Sequence, residues 1–385
     1  MKKFLLSIVV ALLASLSASA NDGLYTTSGN QLVPLKKTNI SVKKEILTID
    51  ISRYQMAVVD VYYEFYNPGK ASQTVLMGFE ADPPYNTEKT FSANGVHPYI
   101  HNFTVEINGQ KLGHKNALAD SDKPFKPLDG KQWKFDEESM GSIYRKDNKN
   151  IFLNNYAYVY YFDATFKPGL NRVHHTYTYD MSMTVGTSYE FVYKLSPAAR
   201  WANKRIDDFT LCIKTDNPKH FVMNKKCIAG VKPTVASGKG KMRDNAVYDE
   251  KMWEVAMNSG ELVFHKQNFV PSKEHELQLH SADILHTFND ASPFGAYYDR
   301  NNQMALYVYG QREEKNMSDD LFWRVAKNLP YAHRGHIFKD EQLNKYFNSL
   351  FWYMPDASYD GSTTDFTEND RAYVKCGTEK KLPED

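Results

Sequence analysis

The chain has 385 residues, with 47 Lys and Arg against 46 Asp and Glu, and 42% of its residues are hydrophobic. This apolar fraction is enough for packed cores, so global disorder is excluded, and the length favours two or three folding units. The net charge of +1 excludes a whole-chain electrostatic attraction to nucleic acid or to an anionic membrane.

The N-terminus has the pattern of a signal peptide. A lysine pair is followed by an apolar and small-residue run at 4–16, and residues 18–20 (Ala-Ser-Ala) form a small-residue cleavage site. A membrane anchor is the alternative, but the run is shorter than the roughly 20 residues that cross a bilayer. We expect cleavage between Ala20 and Asn21 and an exported protein, periplasmic or extracellular, without a membrane span in the mature chain.

Export would place the cysteines in an oxidising compartment, where disulfides form. Cys212 lies in a predicted strand, and Cys227 follows a second apolar run closely enough to lie on an adjacent antiparallel strand. The sequence therefore predicts a Cys212–Cys227 disulfide, with three free thiols as the alternative. Cys376, in a polar C-terminal tail, is the predicted unpaired cysteine. No C-x-x-C pair is present, so we expect no cysteine metal site.

From residue 42 to about residue 310, apolar and polar residues alternate with a period of two, which is typical of half-buried strands. Turn signals such as Asn108-Gly109 separate the runs. This pattern predicts a mainly β fold, with a large antiparallel β-sandwich-like domain built as one unit or as two packed subdomains. The clearest strand candidates are 47–51, 57–65, 103–108, 156–166, 173–179 and 209–213.

Two stretches interrupt this alternation. Residues 111–150 lose the period and are predicted to form an irregular excursion, either a long loop or an insertion that contains a helix. Residues 232–243 are rich in Lys and Gly, which predicts a flexible basic loop. Its charges are either simply solvated or form an anion-binding patch.

The period changes to that of a helix near residue 312. Ser318 is a predicted N-cap, Pro330 is the predicted end of the first helix, and Asp340 precedes a second. A small α-helical domain therefore follows the β domain. The predicted organisation is a signal peptide at 1–20, a β-rich domain at 21–312, a helical domain at 313–374 and a polar tail at 375–385.

Residues 331–335 read Tyr-Ala-His-Arg-Gly, and aromatic residues follow at Tyr346, Phe347, Trp352 and Tyr353. In combination they resemble the YARHG domain, an extracellular bacterial module, over about residues 318–374. His333 and Arg334 stand in the order opposite to the family's signature, and on a helix such an exchange rotates each side chain by about 100°. The resemblance implies an extracellular location and no known activity.

Short segments of the N-terminal part carry a second resemblance. They are Asn21-Asp22-Gly23 and residues 42–47, 61–67, 79–84, 166–169, 173–177, 201, 208–209 and 268–271. In this order they resemble a family of secreted bacterial β-rich proteins that is a domain of unknown function. This resemblance implies an envelope or extracellular location and brings no catalytic residues.

The helical domain contains one candidate ligand-binding cluster. His333, Arg334, His336 and Tyr353 combine donors for carboxylates with an aromatic face suited to a sugar or a peptide. The alternative is a small helical core, because a module of about 60 residues needs most of its aromatic side chains inside.

His174 and His175 form the second candidate cluster, and as strand neighbours they point to opposite faces. Asp180 shares the face of His174 but lies about 20 Å along the strand, too far for one metal site. We predict a structural role, with a catalytic role as the alternative. No hydrolase, metalloprotease or nucleotide-binding motif is present in the sequence, so no catalytic residue, cofactor or metal is predicted.

The missing catalytic motifs favour a non-catalytic binding protein of the cell envelope, with a cell-wall polymer, a glycan or an envelope protein as ligand. One alternative is an envelope hydrolase in which His174, His175, His333 or His336 converge with carboxylates only in the fold. The other is a structural envelope component, with the helical domain docked on the β domain. The balanced charge excludes nucleic acid as an expected partner.

Overall fold

A computed structural model of the chain describes residues 31–53, 55–84, 91–137, 142–184, 187–247, 250–272, 274, 276–282, 299–300, 303–304 and 317–380. The predicted signal peptide, with its cleavage site between Ala20 and Asn21, lies outside these residues. Within them, no helix is long and apolar enough to cross a membrane.

Strands make up most of the described residues, which confirms the mainly β prediction. They are β1 (Leu32–Pro34), β2 (Ser41–Asp50), β3 (Met56–Asn67), β4 (Gln73–Ala81), β5 (Ile100–Ile107), β6 (Gln110–Lys111), β7 (Lys115–Asp120), β8 (Trp133–Phe135), β9 (Ile143–Arg145), β10 (Asn148–Leu153), β11 (Tyr156–Phe166), β12 (Gly169–Asp180), β13 (Ser182–Thr184), β14 (Thr187–Tyr193), β15 (Ile206–Thr215), β16 (Lys219–Asn224), β17 (Thr234–Val247), β18 (Glu250–Phe269), β19 (Leu277–Ser281), β20 (Asp299–Arg300) and β21 (Gln303–Met304).

The large sheet contains twelve of the described strands, in the order β13-β14-β19-β16-β18-β15-β2-β3-β12-β5-β6, with β17 paired to β18. A cover sheet has the order β1-β4-β11-β7, a side sheet has the order β10-β9-β8, and β20 pairs with β21. Within the large sheet β2 and β15 run parallel, while the central pairs β2–β3, β3–β12 and β12–β5 are antiparallel.

Alternating polarity explains these strands. In β3 the side chains of Val59, Val61 and Tyr63 are buried, whereas Asp60 and Tyr62 between them are partly exposed. Successive side chains of a strand point to opposite faces, so this alternation gives one apolar and one polar face. The apolar face of the large sheet packs on the cover sheet.

Aromatic side chains fill the space between the two sheets. The Phe79 ring of β4 lies 4.9 Å from the Tyr177 ring of β12, and Phe166 of β11 lies 5.6 Å from Phe65 of β3. Trp201, in the connection to β15, packs on Phe65 at 4.4 Å. These contacts join the sheets into a sandwich, as predicted.

The two stretches expected to be irregular are partly ordered as strands. Residues 111–150 contain β7 of the cover sheet and the side-sheet strands β8, β9 and part of β10. The expected basic loop at 232–243 is mostly β17, which pairs with β18 along its whole length. The loop prediction was wrong because β18 supplies backbone partners to a segment whose Lys and Gly content by itself disfavours a strand.

The predicted Cys212–Cys227 disulfide is wrong: all three cysteines are free and buried. β18 lies between β15, which carries Cys212, and β16, which precedes Cys227, so these strands are not neighbours. Cys227 packs in the core between the sheets, with Leu211 and Ile213. Cys212 alternates with those two residues and therefore lies on the other face of β15.

Helices form the C-terminal part: α1 (Asp319–His333), α2 (Glu341–Asn348) and α3 (Glu368–Glu379). The Ser318 hydroxyl accepts the Leu321 amide, as predicted for an N-cap. α1 continues through Pro330, where its end was predicted. The buried side chains on both sides of this proline offset the one backbone hydrogen bond that it removes. α3 extends through Glu379, so Cys376 is buried in a helix and not in a polar tail.

Candidate functional site

The large sheet has a polar outer face on its central strands β2, β3, β12 and β5, and this face points away from the cover sheet. Register places His174 of β12 opposite Tyr62 of β3 on one side and opposite Glu106 of β5 on the other. Opposed residues of neighbouring strands project to the same face. Strand pairing therefore brings together side chains from three distant parts of the sequence.

His174 lies between two carboxylates. Its Nε2 atom is 2.9 Å from Asp60 Oδ2, and its Nδ1 atom is 4.0 Å from Glu106 Oε1. Asp60 remains about half exposed, at 49%. The two ring nitrogens face different carboxylates, and these contacts fix the orientation of the imidazole.

A second polar row runs beside the histidine. The Tyr62 hydroxyl donates to Glu64 Oε1 at 2.9 Å, and burial, followed by this hydrogen bond, raises the pKa of Tyr62 above its ordinary value. Arg172 of β12 lies 4.0 Å from Glu64 Oε1 and is 70% exposed. The guanidinium is therefore available to a ligand, while the Tyr62 ring is held in place.

These side chains surround an open depression of about 700 Å³, named here the His174 depression. Asn108 and Gly109 close one end in the β5–β6 turn, both with positive φ angles, as expected for this turn dipeptide. The Asn108 side-chain oxygen accepts the backbone amide of Arg172 at 2.9 Å. The lining residues are Asp60, Tyr62, Glu106, Asn108, Gly109, Arg172 and His174.

His175 points to the opposite, inner face of β12 and is fully buried. Its ring stacks on Tyr63 at 5.8 Å, and neither ring nitrogen has a hydrogen-bond partner among the described residues. Burial lowers the pKa of His175 to about 3. The imidazole is therefore neutral and forms part of the core, which agrees with the predicted structural role.

In the helical part (residues 317–380), Arg334 contacts other residues of the same part. Its guanidinium pairs with Asp370 at 2.7 Å and with Asp365 at 2.9 Å, and it lies 4.4 Å from the centre of the Phe366 ring. Asp370 also accepts the Thr367 backbone amide at the start of α3. These contacts give Arg334 a structural role in joining α1 to α3.

The other predicted ligand-binding residues differ in how accessible they are. His333 packs on Trp352 at 4.5 Å, and burial lowers its pKa to about 4. Tyr353 is buried, and its hydroxyl donates to the His336 carbonyl at 2.6 Å. The His336 ring itself is partly exposed beside the rings of Tyr331, Phe338 and Tyr359.

The four histidines of the hydrolase hypothesis do not share one site. His174 lies on the outer face and His175 in the core, while His333 and His336 lie in the helical part. Across the described ranges, no group of three or more His, Cys, Asp or Glu residues is placed to hold a metal ion. Asp180, the sequence candidate beside His174, pairs with His101 instead, at 2.9 Å.

Sequence reasoning identified His174 but missed its partners. Asp60 and Glu106 stand far from it in the chain, and nothing local indicates that β3 and β5 flank β12. The available signal was the polar face of each strand: Asp60, Tyr62 and Glu64 alternate with buried residues, as do Arg172 and His174.

Two family models match the chain. The YARHG domain matches residues 302–378, and a domain of unknown function, DUF4424, matches residues 20–123. These matches confirm both resemblances predicted from the sequence. No curated protein matches the chain.

Solved structures show distant similarity. A Legionella pneumophila protein, provisionally named a nutrient binding protein, aligns over 92% of this chain and 98% of its own, with 17% identity and a TM-score of 0.47. An M1 zinc metallopeptidase from Deinococcus radiodurans aligns over 64% of this chain and 43% of its own, with 8% identity and a TM-score of 0.22.

Proposed function

We propose that the protein is an exported, non-catalytic binding protein, periplasmic or extracellular, and that the His174 depression binds a polyhydroxylated ligand such as a cell-wall glycan. The YARHG match supports export, because the family is an extracellular module. The observation that carries the binding proposal is the depression itself, where strand register holds charged, amide and aromatic groups together on an open face.

The chemistry of the depression favours hydroxyl groups over anions. Its lining contains the acceptor carboxylates Asp60 and Glu106, with Glu64 adjacent, against one guanidinium. Carboxylates accept hydrogen bonds from hydroxyls and repel anionic groups, while the Arg172 guanidinium donates. The Tyr62 ring offers a flat apolar surface beside them. A neutral or amine-bearing sugar satisfies all of these groups.

Calorimetry of the mature chain with soluble cell-wall fragments and neutral oligosaccharides tests this function. Replacing both acceptors, Asp60→Asn with Glu106→Gln, should weaken binding at least tenfold, about 1.4 kcal/mol. His101→Gln is the matched control, because His101 belongs to a His–Asp pair of β5 and β12 outside the depression. Absence of binding by the wild-type chain, or equal binding by the double variant, would overturn the proposal.

Within the predicted cluster of the helical part, we propose that His336 is the residue that contacts a ligand. Its imidazole is partly exposed among aromatic rings, whereas Arg334 is held by Asp370 and Asp365. His336→Ala should then weaken retention on cell-wall material without lowering the melting temperature. Equal retention of this variant would restrict binding to the β domain.

A further inference from the structure

The helical part is attached to the β domain by lysines of β17. Lys241 Nζ donates to the Tyr353 carbonyl at 2.9 Å, and Lys239 Nζ donates to the Pro355 carbonyl at 3.1 Å. Lys239 also pairs with Asp356 at 3.1 Å. Residues 353–356 are therefore held through backbone carbonyls as well as through one ion pair.

Phe351 lies at the same contact under cationic side chains. Arg243 of β17 lies 4.3 Å from the centre of its ring, and Lys241 Nζ lies 5.1 Å from it. The His220 ring is 5.8 Å away. A cation over the face of an aromatic ring is attracted to that ring. At a site open to solvent the cation keeps part of its hydration. Together, Lys239, Lys241 and Arg243 form a basic row on β17.

The β domain holds Arg243 of the basic row through contacts of its own. Arg243 Nε donates to Glu254 Oε2 of β18 at 2.7 Å, and Glu254 is 1% exposed. His220 Nε2 lies 2.9 Å from the other Glu254 oxygen. The guanidinium is thus fixed on the sheet, and Phe351 docks onto a prepared surface.

The core of the helical part is built mainly from its own side chains. Of the described residues of the β domain, Ala256 is the one buried within the core of the helical part, which otherwise consists of its own side chains. Lys239 and Asp356 each remain 34% exposed. Polar contacts between domains resemble transient interfaces, and exposed charge pairs weaken as salt screens them.

We propose that the basic row is a releasable docking site: the helical part separates from β17 and β18 while both parts stay folded. Each part has a hydrophobic core of its own, one between the sheets and one among α1, α2 and α3. Release breaks the two lysine–carbonyl contacts and the Lys239–Asp356 pair, and it uncovers Phe351 and Ala256, while the other side chains of the two cores stay packed. It exposes Phe351 and leaves the basic row open to another partner.

Small-angle scattering of the full mature chain tests this proposal at about 50 mM and about 500 mM NaCl, a range over which screening of exposed charges changes strongly. Lys239→Gln with Lys241→Gln should raise the radius of gyration by more than a tenth above the about 21 Å expected for a compact chain of this length. The wild-type chain should approach that larger value at high salt. Far-UV circular dichroism should be unchanged in both cases.

Lys115→Gln with Lys214→Gln is the control, because it removes the same charge from exposed strand positions away from the basic row. If the docking variant does not fold, Phe351→Ala and the salt series of the wild-type chain replace it. A radius of gyration that stays constant in a folded variant, or that rises only as circular dichroism is lost, overturns the proposal.

Discussion

Glu45 is an ionisable residue at an inward-facing position of β2, where the other inward-facing residues are apolar. Alternation along β2 turns Glu45 inward with Leu47 and Ile49, and the side chain is fully buried. Gln31 donates to both carboxylate oxygens, at 2.8 Å and 2.9 Å. Burial, only partly offset by this bond, raises the pKa of Glu45 to about 8. The carboxyl group is therefore protonated in the folded protein at neutral pH.

The raised pKa predicts that stability falls as the pH rises from 4.5 to about 8. Between pH 4.5 and about 8 the unfolded chain releases the Glu45 proton while the folded chain retains it. The unfolding free energy then falls by up to about 1.4 kcal/mol per pH unit from this group. Glu45→Gln should remove that slope in urea denaturation from pH 5 to 8. The exposed Glu106→Gln should keep the slope, and an unchanged slope in Glu45→Gln would refute the assignment.

His175 should make stability depend on pH in the direction opposite to Glu45. Its folded pKa of about 3 lies below the ordinary 6.5, so only the unfolded chain takes up this proton between those values. Stability is therefore lost as pH falls below 6.5. His175→Phe should make the melting temperature less dependent on pH between 6.5 and 4 and should raise it, because it removes two ring nitrogens that have no hydrogen-bond partner among the described residues. His174→Gln, on the outer face, should retain the acid loss; the same loss in His175→Phe would contradict this reading.

At the scale of elements, the YARHG signature forms the end of α1 and the turn that follows. Gly335 has a φ angle of +88°, and a Cβ atom there would lie 2.7 Å from the Met354 carbonyl oxygen. The signature glycine therefore permits the chain to pass close to residues 354–356. Its reversed neighbours have separate contacts, since Arg334 reaches α3 and His333 reaches Trp352.

Gly335→Ala should destabilise the helical part by about 1–3 kcal/mol, because it adds backbone strain and a steric clash. The fluorescence of Trp352, in the core of that part, would report the transition during urea unfolding. Gly361→Ala is a matched control: its φ angle is +85°, but the nearest atom is His336 Nδ1 at 4.0 Å. Equal losses in the two variants would mean that the close approach at Gly335 contributes nothing.

At the scale of the whole molecule, Trp201 connects the two sheets of the sandwich. Its ring packs on Phe65 of the large sheet and lies 6.4 Å from Phe166 of the cover sheet. Its Nε1 atom donates to the Leu32 carbonyl of β1 at 3.1 Å. One side chain thus combines apolar contact with both sheets and a backbone hydrogen bond to the cover sheet.

Trp201→Ala should lower the unfolding free energy by about 3–5 kcal/mol, as expected for a large side chain removed from a core. Differential scanning calorimetry would record the lower midpoint of the β domain. Trp253→Ala, at a partly buried position of β18, should cost less. A larger loss for Trp253→Ala than for Trp201→Ala would show that the sheets are not held together at Trp201.

By itself, the amino-acid sequence determined the features that depend on neighbouring residues. Alternation within β3 and β12 predicted strands, Asn108-Gly109 predicted a turn, and Ser318 predicted the start of α1. These features arise from side-chain periodicity and from backbone preferences over a few residues. The family resemblance of the helical part followed from the same kind of local pattern.

The tertiary structure alone decided which distant segments are neighbours. It placed Asp60 and Glu106 beside His174, and it placed β18 between the strands that carry Cys212 and precede Cys227. It also made a strand of the expected basic loop and docked Phe351 on it. Sheet order depends on the packing free energy of the whole core, and no short stretch of sequence contains that information.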